Sequence, residues 1–248
     1  MNHATNPIIV IPARMASTRL PGKPLAEIAG EPMIVQVWRR AVESGLGPVL
    51  VAAGEPEIAE AVKRAGGEAE LTRPEHPSGS DRVHEALTLR DPERRHDVVI
   101  NLQGDLPTMA PADLRQLAGL LSDPAVDIAT LAAEIREEVE RQAPGVVKAV
   151  ISLQPGARAG QGLYFTRVLA PSGEGPHYHH IGVYAYRRAA LERFVALPPA
   201  PLERREKLEQ LRALENGMTI AVGLVDKVPF GVDTPADLER ARAALAPS

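Results

Sequence analysis

Short continuous apolar runs alternate along this chain with stretches in which apolar residues recur every third or fourth position. Ile8–Ile11 is a continuous run and predicts a strand buried on both faces. Ile34, Val35, Trp38, Ala41 and Val42 then fall at helical spacing, predicting a helix from about Pro32 to Glu43. Gly45-Leu46-Gly47-Pro48 ends it, and Val49–Ala53 predicts a second buried strand. Ile58–Ala65 reads as a helix closed by Gly66-Gly67, and Glu68–Leu71 as a short third strand. Asp81–Leu89 is helical in pattern, Asp97–Leu102 predicts a fourth strand, and Pro111–Leu121 another helix with proline in its first turn.

This alternation predicts an α/β protein with a mainly parallel sheet and helices on both faces. From Asp127 to Tyr186 the rhythm changes. Strand-like pieces at Ile128–Ala132, Val146–Ile151, Gly162–Phe165 and Ile181–Tyr186 are separated by Gly- and Pro-rich breaks. We read residues 127–187 as an inserted, more antiparallel lobe that completes a pocket or forms a dimer contact. Helical pattern returns at Ala189–Val195 and Arg204–Glu215. Thr219–Val225 predicts a strand, and Pro235–Leu245 a last helix that Thr234 can cap. No repeat or linker divides the chain, so a single domain over residues 1–248 is expected.

Composition narrows the chemistry. Hydrophobic residues make up 44% of the chain but aromatics only 3%, so the core must be aliphatic. The net charge of −4 lacks the basic footprint of a nucleic-acid partner. Cysteine is absent, which removes disulfides, thiolate nucleophiles and Cys-based metal sites. No apolar run approaches the ~20 residues that span a bilayer, and the first residues lack a signal-peptide pattern. A cytoplasmic protein with no membrane partner is expected.

Candidate chemistry gathers after the first strand. Pro12-Ala13-Arg14-Met15-Ala16-Ser17-Thr18-Arg19-Leu20-Pro21-Gly22-Lys23-Pro24 carries the cations Arg14, Arg19 and Lys23 among small residues and prolines. Fixed cations and open backbone N–H groups suit a polyphosphate. The loop is neither a Walker A loop nor a dinucleotide fingerprint, since both glycine patterns are missing. In an open parallel sheet, ligands gather at the carboxyl ends of strands. Gln103-Gly104-Asp105 leaves the fourth strand at the same edge as this loop leaves the first.

Asp105, in that turn, and Asp233, in Gly231-Val232-Asp233-Thr234-Pro235, are both placed at turns that lead into helices. Two such carboxylates can hold Mg²⁺, with substrate oxygens and water filling its other positions. The plain alternative for each is a turn or capping aspartate. Thr72–Arg82 places serine, glycine and two arginines before a helix that Ser80 or Asp81 can cap, which suits an anion or a base edge. His177-Tyr178-His179-His180 resembles a metal cluster, but adjacent strand residues face opposite sides, so a shared ion is not expected. His180 and Tyr184 lie four apart and face one side, able to meet a polyhydroxylated ligand. Glu209 and Gln210 can do likewise, or simply form a solvated helix face. Gly-x-Ser-x-Gly is absent, so no acyl-transfer triad is indicated.

Taken together, these residues resemble a known family. The Pro12–Pro24 loop closely resembles the signature of the CMP-KDO synthetases, the 3-deoxy-manno-octulosonate cytidylyltransferases. The resemblance continues through Ala65-Gly66-Gly67, Thr72-Arg73, His76, Ser78-Gly79 and Arg82, then Asn101-Leu102-Gln103-Gly104-Asp105. It extends through Leu163-Tyr164-Phe165-Thr166-Arg167, His180-Ile181-Gly182-Val183-Tyr184, Pro201-Leu202-Glu203, Leu208-Glu209-Gln210-Leu211-Arg212 and Gly231–Pro235.

The resemblance implies a Rossmann-like nucleotidyltransferase fold and a homodimer. It implies CTP and 3-deoxy-D-manno-octulosonate (KDO, an acidic 2-keto-3-deoxy sugar) as substrates, CMP-KDO for lipopolysaccharide assembly as product, and Mg²⁺ as cofactor. On it, Ala13, Arg14, Arg73 and Gln103 surround the cytidine. Arg19 and Lys23 hold the triphosphate, with Ser80 and Arg82 assisting. Asp105 and Asp233 match metal ligands, and together with Arg19 and Lys23 they form the catalytic set. Arg167, His180, Tyr184, Glu209 and Gln210 match the sugar site.

The chain departs from the family pattern at Ala53-Gly54-Glu55, at Leu106 and at His179. The same chemistry on a related acidic sugar, such as 8-amino-KDO or a sialic acid, therefore stays open, as does a homologue that binds without catalysis.

Overall fold

The computed structural model describes residues 5–17 and 19–246. Thr18, in the middle of the cationic loop, lies outside the described residues. The chain forms two compact units, one built from the chain up to Arg115 and from Pro229 onward, the other from Gln116 to Val228.

In the first unit the continuous apolar runs become strands because both faces are covered. β1 (Pro7–Ala13) has Ile9, Val10 and Ile11 fully buried. It leads through a short 3-10 turn (Lys23–Leu25) and a small antiparallel pair, β2 (Glu27–Ile28) and β3 (Glu31–Pro32), into helix α1 (Met33–Glu43). β4 (Val49–Ala53), α2 (Pro56–Arg64), β5 (Glu68–Leu71), α3 (Gly79–Arg90) and β6 (Val98–Asn101) follow. β5, β4, β1 and β6 lie in that order and pair in parallel throughout. The chain therefore steps away from β1 in one direction to β4 and β5, then places β6 on β1's other side. This is a topological switch point, and the loops after β1 and β6 diverge there.

Helix α4 (Pro111–Gly119), extended by a 3-10 turn at Leu120–Ser122, carries the chain into the second unit. There β7 (Ile128–Glu134), a short helix α5 (Glu138–Gln142), β8 (Lys148–Ser152), β9 (Ala159–Thr166) and β10 (Tyr178–Arg187) come in turn. Helices α6 (Arg188–Ala196), α7 (Pro201–Glu206) and α8 (Gln210–Glu215) and strand β11 (Ile220–Val225) complete it. β10 pairs antiparallel with β7 and β8, β9 pairs antiparallel with β8 and β11, and β11 runs parallel to β7. The antiparallel character expected here is present, over a longer span than 127–187. Helix α9 (Pro235–Leu245) returns to the first unit, where Val232, Leu238 and Ala241 pack with Ile28 and Met33. No helix among the described residues is long and apolar enough to cross a membrane.

Two sequence expectations are corrected. The expected helix over Arg204–Glu215 is two helices. Lys207 adopts a left-handed conformation (φ 56°), and the Leu208 N–H bonds back to the Glu203 carbonyl at 3.3 Å. That closes α7 and turns Arg212 of α8 onto the Glu203 carboxylate at 2.6 Å. Helix α3 is capped by Ser78, not by Ser80 or Asp81. The Ser78 backbone is extended, and its Oγ accepts from the Asp81 N–H at 3.2 Å, so the helix starts at Gly79.

Candidate active site

The switch point explains where the first unit has its open cavity, about 250 Å³. One wall is the end of β1 and the loop after it, Pro12–Ser17. The opposite side carries Gln103-Gly104-Asp105 after β6, and the start of α3 adds Ser78, Gly79 and Arg82.

The loop after β1 is held from its backbone. The Ala13 carbonyl accepts from the Gly54 N–H at 2.9 Å, and the Glu55 carboxylate accepts from the Met15 N–H at 2.8 Å. Gly22, at φ 70°, then turns the chain into the 3-10 turn, which projects Lys23 toward the end of β6. Gly104 is required by closeness. A Cβ there would stand 2.8 Å from the Pro12 carbonyl oxygen, so the two loops touch backbone to backbone.

Lys23 joins the two candidate metal aspartates. Its Nζ donates to Asp105 Oδ2 at 2.8 Å and to Asp233 Oδ1 at 3.1 Å, and its side chain is only 14% exposed. Burial lowers the pKa of the Lys23 ammonium, but Asp105 and Asp233 outweigh it, and the net effect is a rise. Arg19 Nη2 adds a third contact, 3.1 Å from Asp233 Oδ2. Asp233 is delivered by the cap of α9. The Thr234 Oγ accepts from the Asp237 N–H, while the Asp237 carboxylate accepts from the Asp233 and Thr234 N–H groups. A backbone bond from the Val232 N–H to the Asp105 carbonyl, 2.9 Å, fixes one aspartate turn on the other.

Of the predicted nucleotide residues, Ala13, Arg14, Lys23, Arg82 and Gln103 line the cavity, with Asp105 beside them. Arg19 and Asp233 do not line it but are tied to it through Lys23. The Arg82 guanidinium is buried and donates to Thr72 Oγ1 and the Pro74 carbonyl; burial lowers its pKa. The Arg73 side chain is 74% exposed and bonds Glu85 instead of facing the cavity. Ser80 is buried in the first turn of α3.

Sequence reasoning missed Glu55, which anchors the loop through a backbone N–H. It also assigned no role to His76, a cavity residue whose ring bonds the Glu85 carboxylate. His76 and Glu85 are nine residues apart, too far for any local pattern to link.

The predicted sugar residues all fall in the second unit. His180 and Tyr184 of β10 stand with ring centroids 5.7 Å apart, and Phe165 of β9 packs edge-on to His180 at 4.8 Å. A bulge separates them in register: β10 advances from Ile181 to Tyr184 while β7 moves only from Leu131 to Thr130. The insertion is two residues, an even number, so the shared facing survives. Burial depresses the His180 pKa to about 3, with His179 adding to it, and pushes Tyr184 well above its usual range.

Glu209 and Gln210 open helix α8. Gln210 Nε2 is buried with no hydrogen-bond partner among the described residues. Arg167 is differently employed. Its guanidinium donates to the Glu206, Pro144 and Lys207 carbonyls at 2.8, 3.1 and 3.4 Å. The fully buried Lys148 ammonium grips the Arg167 carbonyl at 3.3 Å. Arg167 thus anchors the α7–α8 corner that presents Glu209 and Gln210.

Among the described residues, no group of three or more His, Asp or Glu side chains could hold a metal ion, the His177–His180 run included. What the first unit offers is a pair of hard carboxylates that already share a cation, the Lys23 ammonium. That donor set fits an ion bound jointly by protein and phosphate oxygens, as Mg²⁺ is.

Comparison with known proteins gives this geometry its context. The family model described as cytidylyltransferase matches residues 8–220. A 3-deoxy-manno-octulosonate cytidylyltransferase from Parvibaculum lavamentivorans is 67% identical over 243 residues, covering 98% of this chain and 94% of that protein. The protein of the same name from Paramagnetospirillum magneticum is 64% identical, covering 96% of this chain and 97% of that protein. A solved CMP:2-keto-3-deoxy-manno-octonic acid synthetase complexed with CTP is 40% identical, with a TM-score of 0.88 over 97% of this chain and 98% of that one. The mixed α/β architecture is therefore the nucleotidyltransferase fold. The chain belongs to the cytidylyltransferase family, alongside the 3-deoxy-manno-octulosonate cytidylyltransferases.

Proposed function

We propose that this protein activates KDO with CTP, giving CMP-KDO and pyrophosphate for lipopolysaccharide assembly. The observation that carries the reading is the Lys23–Asp105–Asp233 cluster at the edge of the switch-point cavity. Relatives with more than 60% identity across nearly the whole chain support the sugar assignment. The same reading makes the protein a cytoplasmic homodimer with no nucleic-acid partner, both units acting as one nucleotidyltransferase domain.

The reaction is an in-line attack of the sugar's anomeric hydroxyl on the α-phosphorus, with pyrophosphate leaving. It needs positioning and charge neutralisation, not a protein nucleophile, which agrees with a cysteine-free chain. In this reading Ala13, Arg14 and Gln103 hold the cytidine, and Arg73 joins them by leaving Glu85. Lys23 and Arg19 neutralise the leaving pyrophosphate, assisted by Ser80 and Arg82, and the raised Lys23 pKa keeps its ammonium charged at neutral pH. Asp105 and Asp233 would hold Mg²⁺, which when bound would supply charge neutralisation and lower the pKa of the attacking hydroxyl. Arg167, His180, Tyr184, Glu209 and Gln210 form the sugar site, Arg167 by fixing the corner that carries the last two.

The test is pyrophosphate release with CTP or UTP, with and without Mg²⁺, over KDO, 8-amino-KDO and a sialic acid. We expect turnover with CTP, KDO and Mg²⁺ together. Turnover of an analogue with none of KDO would transfer the assignment to that sugar. No release from any combination would leave a binding protein in its place.

A further inference from the structure

Thr130, at the centre of β7, is fully buried, and its hydroxyl has three neighbours. The Val183 carbonyl lies at 2.8 Å, the Ile181 carbonyl at 3.1 Å and His180 Nε2 at 3.0 Å. The two carbonyls belong to the β10 bulge, which removes them from the regular ladder. A hydroxyl has a single proton to give and lone pairs to accept with. Carbonyl oxygens only accept. If the proton went to His180, two carbonyl oxygens would face the Thr130 oxygen with no hydrogen between them. With the proton shared between the Val183 and Ile181 carbonyls, the contact to His180 is satisfied only if His180 donates from Nε2.

We propose that Thr130 is a positioning residue that fixes His180 as the Nε2–H tautomer, leaving Nδ1 as a lone-pair acceptor for a sugar hydroxyl. This rests on the reading of His180 as a sugar-site residue. Packing against Phe165 and Tyr184 holds the ring plane, so tautomer and orientation are set by different neighbours. The groups around the ring keep it neutral. Burial dominates, the adjacent His179 adds to the depression, and Tyr184 stays protonated. A neutral acceptor cannot act as counter-ion to the ligand's carboxylate. His180 therefore selects for a hydroxyl at the position it meets, not for negative charge. The assignment also gives a use to the bulge: its freed carbonyls take the Thr130 proton that would otherwise set the opposite tautomer.

Long-range proton–nitrogen correlation spectra of the full chain, with nitrogen-15 in histidine, read the tautomer directly. In the wild type we expect His180 as Nε2–H, with the Nδ1 resonance moving on addition of KDO. A wild-type spectrum showing Nδ1–H would overturn the proposal. Nε2–H with an Nδ1 resonance indifferent to saturating KDO would uphold the lock and refute the sugar-site reading, while CTP-dependent turnover would leave the wider function standing.

Thr130→Ser retains the hydroxyl and should keep both tautomer and kinetics. Thr130→Val should mix the tautomers and raise the KM for KDO about tenfold, the scale of one hydrogen bond, with the KM for CTP unchanged. Equal loss in both variants, or an equal rise in both KM values, would mean that Thr130 serves packing alone. If Thr130→Val does not fold, the wild-type and Thr130→Ser spectra still decide.

Discussion

Lys23 meets two carboxylates and lies four-fifths or more out of solvent, whereas Arg19, which meets one of them, is largely exposed. Their losses should differ accordingly. Asp105→Ala should fold normally, since the residue sits in a turn, and should lose turnover by on the order of 10²-fold or more in the pyrophosphate-release assay. Wild-type kinetics in that variant would remove Asp105 from the metal assignment.

His180 makes a second prediction. A histidine buried neutral with a pKa near 3, against 6.5 when unfolded, opposes unfolding above pH 6.5. The unfolded chain takes up a proton as the pH falls below 6.5 and the folded chain does not. Stability should therefore fall by up to about 1.4 kcal/mol per pH unit between those two values, and His180→Gln should flatten that slope in urea titrations at pH 7, 5.5 and 4.5. The cations and aspartates were legible in the sequence as types at turns. Their convergence on one ammonium was not, because 210 positions separate Lys23 from Asp233. Glu55 was illegible for another reason: its partner is a backbone N–H, which no residue identity announces.

Among the elements, the apolar runs of β1, β4, β5 and β6 and the capped α9 were read closely, because each has a single strong signal at each end. The α7–α8 break had none. Leu208, Leu211 and Leu214 keep helical spacing, and neither glycine nor proline marks the turn before them. The Arg212–Glu203 pair beside Phe194 and the grip of Arg167 on the Glu206 and Lys207 carbonyls stabilise the break. Arg212→Met should therefore cost about 2 kcal/mol, read as a lower urea midpoint, because it leaves the half-buried Glu203 carboxylate with only the Ala200 N–H. The α3 cap was misplaced for the opposite reason, since Ser78, Ser80 and Asp81 offer competing signals within four residues. At the β1–β6 edge, Gly104→Ala forces a methyl against the Pro12 carbonyl. We expect a folded protein whose KM for CTP rises about tenfold, through displaced loops and not lost side chains. An unchanged KM would show that the loops part without consequence.

For the whole molecule, the order β5-β4-β1-β6 decides where ligands can gather, and that order followed from the rhythm of the sequence only in outline. The parallel strands were foreseen. Which side of β1 would receive β6 was not, because crossover direction leaves no mark in local periodicity. Nor was the extent of the second unit, which runs from Gln116 to Val228 and takes in α6, α7, α8 and β11 beyond the expected lobe. The residues that the family pattern assigns to the sugar all lie in that unit, and among them Arg167 binds backbone carbonyls, a role that side-chain identity alone conceals.

The contacts among Lys23, Arg19, Asp105 and Asp233 have one more consequence. Two positive and two negative groups cancel, so the resting cluster holds no surplus charge to capture whichever small ion drifts past. An anion alone must pull the cations from their aspartates, and a cation alone must evict the ammonium. Only a visitor that carries both signs can replace every contact it breaks. The cluster thus behaves as a coincidence detector. Calorimetric titration should register CTP with Mg²⁺ at least about tenfold more tightly than CTP in a chelator or Mg²⁺ by itself.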